Sequence, residues 1–291
     1  QPEPLEEVVV ADAPPAAATA SPTAAAAAAS EPRSLGRSLR PVPACSTRNC
    51  RFPARHLGNC EPRLIQIEGR SSKEVKELAG AIRTLSGGDD DCYSESASFD
   101  PRCTHLICVD LVRSEKTLAA LAAGRWLLRK EWLTCSAEVG GWLPEAPFEL
   151  FEEGEEATRP FGKDGASTLW MGAPRMRRIE REGAGNVPRS LVGWTYVLSL
   201  DERLKPNARR LRSIIRAGGG RVWEEEALPH QEDCSNVLVV LPKEILAGAE
   251  ERDGNPLRRS ALERGVACVP PEYLIERLTQ CAPRGVAAFR A

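Results

Sequence analysis

At 291 residues the chain has room for two domains of ordinary size, and although 27% of its residues are charged the formal net charge is only -2. A balance this close to neutral excludes bulk attraction to nucleic acid or anionic membrane, while leaving local charged patches open. No apolar run approaches the roughly 20 residues that span a bilayer, and the acidic opening Gln1-Pro-Glu-Pro-Leu-Glu-Glu lacks the basic start of an export signal.

Residues 1–60 are rich in Pro, Ala, Ser and Arg, with Ala24 to Ala29 uninterrupted. Such a segment buries too little to offset its ordering entropy and is expected to be a disordered linker. Cys45, Cys50 and Cys60, with His56 between the last two, lack the tight Cys-x-x-Cys pairs of structural zinc sites. No metal or other cofactor is expected. The ten cysteines show no short, even spacing. Cys108, Cys135 and Cys268 fall in apolar or amphipathic stretches, where a free thiol packs as a small core residue. A reducing compartment fits that usage.

The pattern changes at Arg63, and a first repeat is expected over 61–150. Leu64 to Ile67 reads as a short strand. Ser71-Ser-Lys-Glu74 matches a capping box, and the helix behind it carries Val75, Leu78, Ala79, Ile82 and Leu85 at helical spacing. Gly87-Gly88 supplies a left-handed stop. Asp89-Asp-Asp91 and the serines after it suit an exposed loop around a poor edge strand. Thr104 to Val109 is a continuous apolar strand, as in a parallel sheet covered on both faces. Glu115 to Ala123 forms a helix broken by Gly124, Trp126 to Leu128 a strand, and Lys130 to Val139 a helix around Trp132.

A linker is expected over 151–188, with the acidic turn Glu152-Glu-Gly-Glu-Glu156 and a helix over Thr168 to Arg181, where Pro174 marks a kink or a first turn. Its arginines, Arg175, Arg177, Arg178 and Arg181, alternate with Glu180 and Glu182 and suit a solvated face. The same order of elements then recurs over 189–291, an internal repeat by pattern. Gly193 to Leu200 is a strand, Asn207 to Ala217 a helix stopped by Gly218-Gly-Gly220, and Val222-Trp223 opens a strand. Ser235 to Val240 mirrors Thr104 to Val109. A short helix over Arg258 to Arg264, a strand over Val266 to Val269 and a closing helix over Pro271 to Leu278 follow, with Tyr273 standing where Trp132 stood.

Gly87-Gly88, Thr104-His105, Gly124-Arg125-Trp126, and Trp132 with Cys135-Ser136 are together specific, and from about Arg63 onward the chain resembles the BRCT family. The resemblance implies an α/β fold of two repeats packed head-to-tail through helices. Each repeat would have a four-stranded parallel sheet with two helices on one face and one on the other. It further implies a non-enzymatic, nuclear interaction scaffold for replication, DNA damage repair and checkpoint signalling. Its partner would be a phosphoserine or phosphothreonine protein segment, with no membrane and no small-molecule substrate.

In such modules the phosphate is held by a hydroxyl and a backbone N–H just after the first strand and by a lysine leading the second helix. A helix N-terminus there offers free N–H groups and partial positive charge. Residue by residue, the resemblance puts the lysine at Lys116 and the N–H at Gly69. The hydroxyl position falls on Glu68, whose carboxylate would repel a phosphate or pair with Lys116. Arg70, Ser71 and Ser72 lie close enough in sequence to rebuild the pocket, and Arg113 is an auxiliary candidate. The alternatives are a scaffold indifferent to phosphorylation, which Glu68 favours, and direct DNA binding, for which only the 175–181 run speaks. Three histidines without a neighbouring nucleophile, and no Gly-rich phosphate loop, leave enzymatic chemistry without support.

Overall fold

The computed structural model describes Cys50 and residues 62–286, apart from 155–156, 162–166, 189, 225–226, 230–233 and 249–253. Apart from Cys50, the expected N-terminal linker lies outside the described residues, and with it Cys45, His56 and Cys60. The first sheet contains β1 (Ile65–Glu68), β2 (His105–Cys108) and β3 (Trp126–Arg129), parallel and in that spatial order. Alternation divides their side chains between two faces. Ile65, Ile67, Ile107 and Leu128 pack on α1 (Ser72–Leu85) and α3 (Glu131–Val139) through Leu78, Ile82 and Trp132. Leu106, Cys108 and Leu127 pack on α2 (Glu115–Ala122). Two helices on one face and one on the other is the arrangement expected.

The expected fourth strand of this sheet is reduced to one parallel bridge between Ile65 and Tyr93. The Asp89 carboxylate accepts from Asp91 N–H and winds residues 90–92 into a 3-10 turn. The serine-rich stretch beyond it lacks the apolar alternation that would hold it to the edge of β1.

Between the repeats the structure departs from the single linker helix expected over 168–181. Thr158–Pro160 (β4) and Thr168–Trp170 (β5) form an antiparallel hairpin, and the helix begins only at α4 (Ala173–Gly183), with Pro174 in its first turn. The second sheet runs β7 (Arg221–Trp223), β6 (Thr195–Leu198), β8 (Val237–Val240) and β9 (Ala267–Val269), all parallel. One of its faces carries α6 (Lys243–Ala247) and α7 (Pro256–Glu263). The other carries α5 (Ala208–Ala217) and α8 (Pro271–Thr279), and these helices meet α2 in a core common to both repeats.

The arginines of α4 are not a solvated face. The Glu149 carboxylate is fully buried, receiving Arg175 Nε at 2.9 Å and Arg178 through Nε at 2.7 Å and Nη2 at 3.0 Å. Arg178 also lies over Trp126 and Arg175 over Phe151. Arg177 pairs with Glu180 and reaches the Arg277 carbonyl in the second repeat. Burial of Glu149 gives these cations an internal partner, so the run carries little charge outward for DNA. Gly124, at φ +59°, fits beneath this helix, since a Cβ there would lie 2.5 Å from the Arg177 carbonyl oxygen.

On the opposite face, His105 stacks on Trp132 at 5.2 Å, Trp132 on Trp142 at 5.2 Å, and Arg63 lies over Trp142. Glu145 ties the ends together, 3.3 Å from His105 Nε2 and 3.4 Å from Arg63 Nη2. Burial opposes ionisation of Glu145, but the hydrogen bond and charge of His105 and the charge of Arg63 outweigh it and hold the carboxyl below its ordinary range.

Two expectations follow. Glu149→Ala removes the buried carboxylate that partly buried Arg175 and Arg178 share and should cost up to about 3 kcal/mol, read as a lower urea midpoint. A depressed folded-state pKa makes Glu145 stabilising above the ordinary carboxylate range, a contribution lost as pH falls through its lowered value. The urea midpoint of the parent should therefore fall more steeply on acidification than that of Glu145→Gln.

Candidate functional site

The candidate site, termed the cleft, is the place where β1 and β2 end and α2 begins. Parallel pairing aligns Glu68 with Cys108, so the chain leaves both strands at one level. Val109 N–H donates to the Glu68 carbonyl at 2.8 Å and locks the exits together. Gly69 suits this closeness: a Cβ there would lie 3.0 Å from Val109 Cβ and 3.4 Å from Val75 Cγ2, a tight fit. Helix α2 starts across the cleft with Ser114 as its cap, the hydroxyl accepting from Thr117 N–H at 3.1 Å.

Lys116 lies in the first turn of α2, and its ammonium reaches back to the Ile67 carbonyl at 3.4 Å. The cation therefore meets the end of β1, two residues before Gly69 in the chain. Among the described residues no carboxylate lies within ion-pair distance of Lys116. Glu68 points into the same space. Burial pushes its carboxyl above the ordinary range, while the charge of Lys116 and a hydrogen bond from Ser114 pull it partly back.

The other expected residues separate into different duties. Ser71 is committed as the N-cap of α1, accepting from Glu74 N–H at 3.3 Å. The reciprocal half of that capping box is replaced, because the Glu74 carboxylate accepts from Lys130 Nζ at 2.7 Å. Arg70 has an exposed side chain, and its N–H donates to Asp110 Oδ2 at 3.3 Å. Ser72 is exposed in the first position of α1. Arg113 turns away from the cleft and donates to Ser167 Oγ at 2.7 Å. There it lines a groove of about 770 Å³ with Trp170, Lys243, Ile275 and Thr279, between the hairpin and the second repeat.

Three residues at this cleft escaped the sequence reading. Asp110 adds a carboxylate at the exit of β2. Ser114 supplies a hydroxyl from the α2 side, and its position ahead of a helix with Thr117 three residues later was a readable capping signal. Glu115 accepts from Phe99 N–H at 3.2 Å and from Ser213 Oγ of α5, linking the cleft to the second repeat. Among the described residues, the Lys116 ammonium, the Ser114 hydroxyl and the carboxylates of Glu115 and Asp110 thus act on Glu68.

No family model matches the chain. It is 29% identical over 190 residues to SMC5-SMC6 complex localization factor protein 1 of Homo sapiens, a match covering 65% of this chain and 16% of that protein. It is 31% identical over 162 residues to a BRCT domain-containing protein of Arabidopsis thaliana, covering 56% of this chain and 11% of the relative. These relatives support the BRCT-domain family. Among solved structures, the BRCT5-BRCT6 domains of S. pombe Brc1 superpose loosely, with a TM-score of 0.42 and 18% identity over 62% of this chain and 77% of that one. The chain thus spans a small part of the full length of its curated relatives.

Lys116 restrains the rise of the Glu68 pKa, so Lys116→Ala should raise it further. Carboxyl carbon shifts followed by NMR against pH should show the Glu68 midpoint above the ordinary glutamate range in the parent and higher still in the variant. Coincident midpoints would separate the two groups.

Proposed function

We propose that the chain is a non-enzymatic protein-interaction module of two BRCT-type repeats, 61–150 and 189–291, acting in nuclear DNA damage response, replication and checkpoint signalling. Its partner is a protein segment phosphorylated on serine or threonine, docked at the N-terminus of α2. The resemblance of its motifs to the C-terminal BRCT pair of DNA topoisomerase II-binding protein supports this setting, as do BRCT-bearing relatives.

The observation that carries the reading is the approach of Lys116 Nζ to the end of β1, 3.4 Å from the Ile67 carbonyl. A phosphate there meets a full positive charge, the Gly69 amide and the Ser114 hydroxyl. Glu68 is the resident that the phosphate must displace. Burial already disfavours its charged form, while the Lys116 charge and the Ser114 hydrogen bond favour it. Ser71 and Arg70 play supporting parts, as cap and as exposed cation. Arg113 reads residues beyond the phosphate from the inter-repeat groove.

A second reading, a scaffold indifferent to phosphorylation, is favoured by the same Glu68 together with Asp110. Matched phosphorylated and unphosphorylated peptides separate the two by isothermal titration. The charge-assisted contact contributes roughly 1.5–3 kcal/mol, so Lys116→Ala should weaken the phosphopeptide about tenfold or more, and Glu68→Ser should strengthen it. Equal affinity of both peptides for the parent, with Glu68→Ser creating a phosphate preference, selects the second reading.

A further inference from the structure

Helix α5 is strongly basic, with four arginines and no acidic residue among its ten positions. Residues 201–221 hold seven Lys and Arg against two acidic side chains, in a protein of net charge -2. Part of that charge is neutralised locally: Arg203 pairs with Asp201, and Arg212 and Arg216 share Glu224. Arg209 and Arg210 are exposed, and among the described residues neither has a carboxylate within ion-pair distance. Both stand in the first turn of α5, which contains no acidic residue. Cations there oppose the helix dipole. A surface arrangement that works against its own helix points to function rather than stability.

Packing brings this turn to the cleft. Glu115, the first residue of α2, meets Ser213 of α5. At the other end, Ser190 Oγ donates to the Ala122 carbonyl and Leu191 N–H to the Gly218 carbonyl, each at 3.0 Å. The two helices therefore run side by side in one direction, in a register that leaves the first turn of α5 projecting beyond the start of α2. Arg210 and Arg209 lie three and four residues before Ser213, one turn above it on the helix surface.

We infer that Arg209 and Arg210 form a second, cationic contact that receives an acidic peptide segment flanking the phosphorylated residue. This deepens, and rests on, the phosphopeptide reading of the Lys116 cleft. A duplex fits the ridge less well, because its charges repeat about every 1.7 Å over a broad surface and it would press on Asp201, Glu202 and Glu224. A narrow strand of carboxylates meets the two free guanidinium groups alone.

The test uses fluorescence anisotropy at low salt with one phosphopeptide core, flanked by aspartates or by serines. The parent and an Arg209→Glu, Arg210→Glu double variant are compared, each peptide also in unphosphorylated form. Two exposed cations should give the parent a preference of roughly fivefold for the acidic flank. The double variant should lose that preference, retain serine-flanked phosphopeptide binding and keep or raise its melting temperature. A parent blind to the flank, or a preference surviving in the double variant, overturns the inference. Arginine-dependent binding of duplex DNA without acidic-peptide preference also overturns it, in favour of nucleic acid. If phosphorylation has no effect while the flank preference still depends on the arginines, the phosphate reading fails and the ridge stands.

Discussion

Helix α2 is closed in on every side, and the architecture of both repeats depends on that enclosure. From Thr117 to Ala123 every side chain is buried, and the run Ala119-Ala-Leu-Ala-Ala123 is small enough for neighbouring elements to approach closely. The first sheet covers it from one side, α5 and α8 from another, and α4 crosses its end above Gly124. Its apolar burial therefore belongs to both repeats at once. Removing water from one helix on several faces is a stronger constraint than joining two finished domains at their surfaces.

That enclosure explains why chemistry collects at the exposed end of α2. The middle and C-terminal end of the helix have no free surface, whereas Ser114, Glu115 and Lys116 emerge where the strands stop. Each of the three takes a different neighbour: Ser114 turns to Thr117 and Glu68, Glu115 to Phe99 and Ser213, and Lys116 to Ile67. The cleft is thus placed by the core rather than by a flexible loop. Its mixture of one amine with several carboxylates is a balance that a charged visitor can tip.

Much of the fold was legible in the residues, for reasons of period and punctuation. Apolar continuity marked β2 and β8, and Gly87-Gly88 stops α1 with φ of 67° and 82° as a left-handed turn requires. Trp132 and Tyr273 are both buried as the repeat pattern implied. What escaped depended on partners distant in sequence. Hairpin strands of three residues carry too little pattern to announce themselves, and β4 and β5 are held partly by Met171 N–H donating to the Ala157 carbonyl. The arginines of α4 resembled a wet surface because nothing near them revealed that Glu149 was buried to receive them. Near the start of α2, the Ser114 cap was readable from its place ahead of the helix, whereas the reach of Glu115 into α5 exists only once two repeats are packed.

The clasp made by α4 also has a mechanical meaning. One helix grips Glu149 in the first repeat and hands Arg177 to the Arg277 carbonyl in the second. With both jaws tied to the same bar, the span between the start of α2 and the opposite repeat becomes a set gauge.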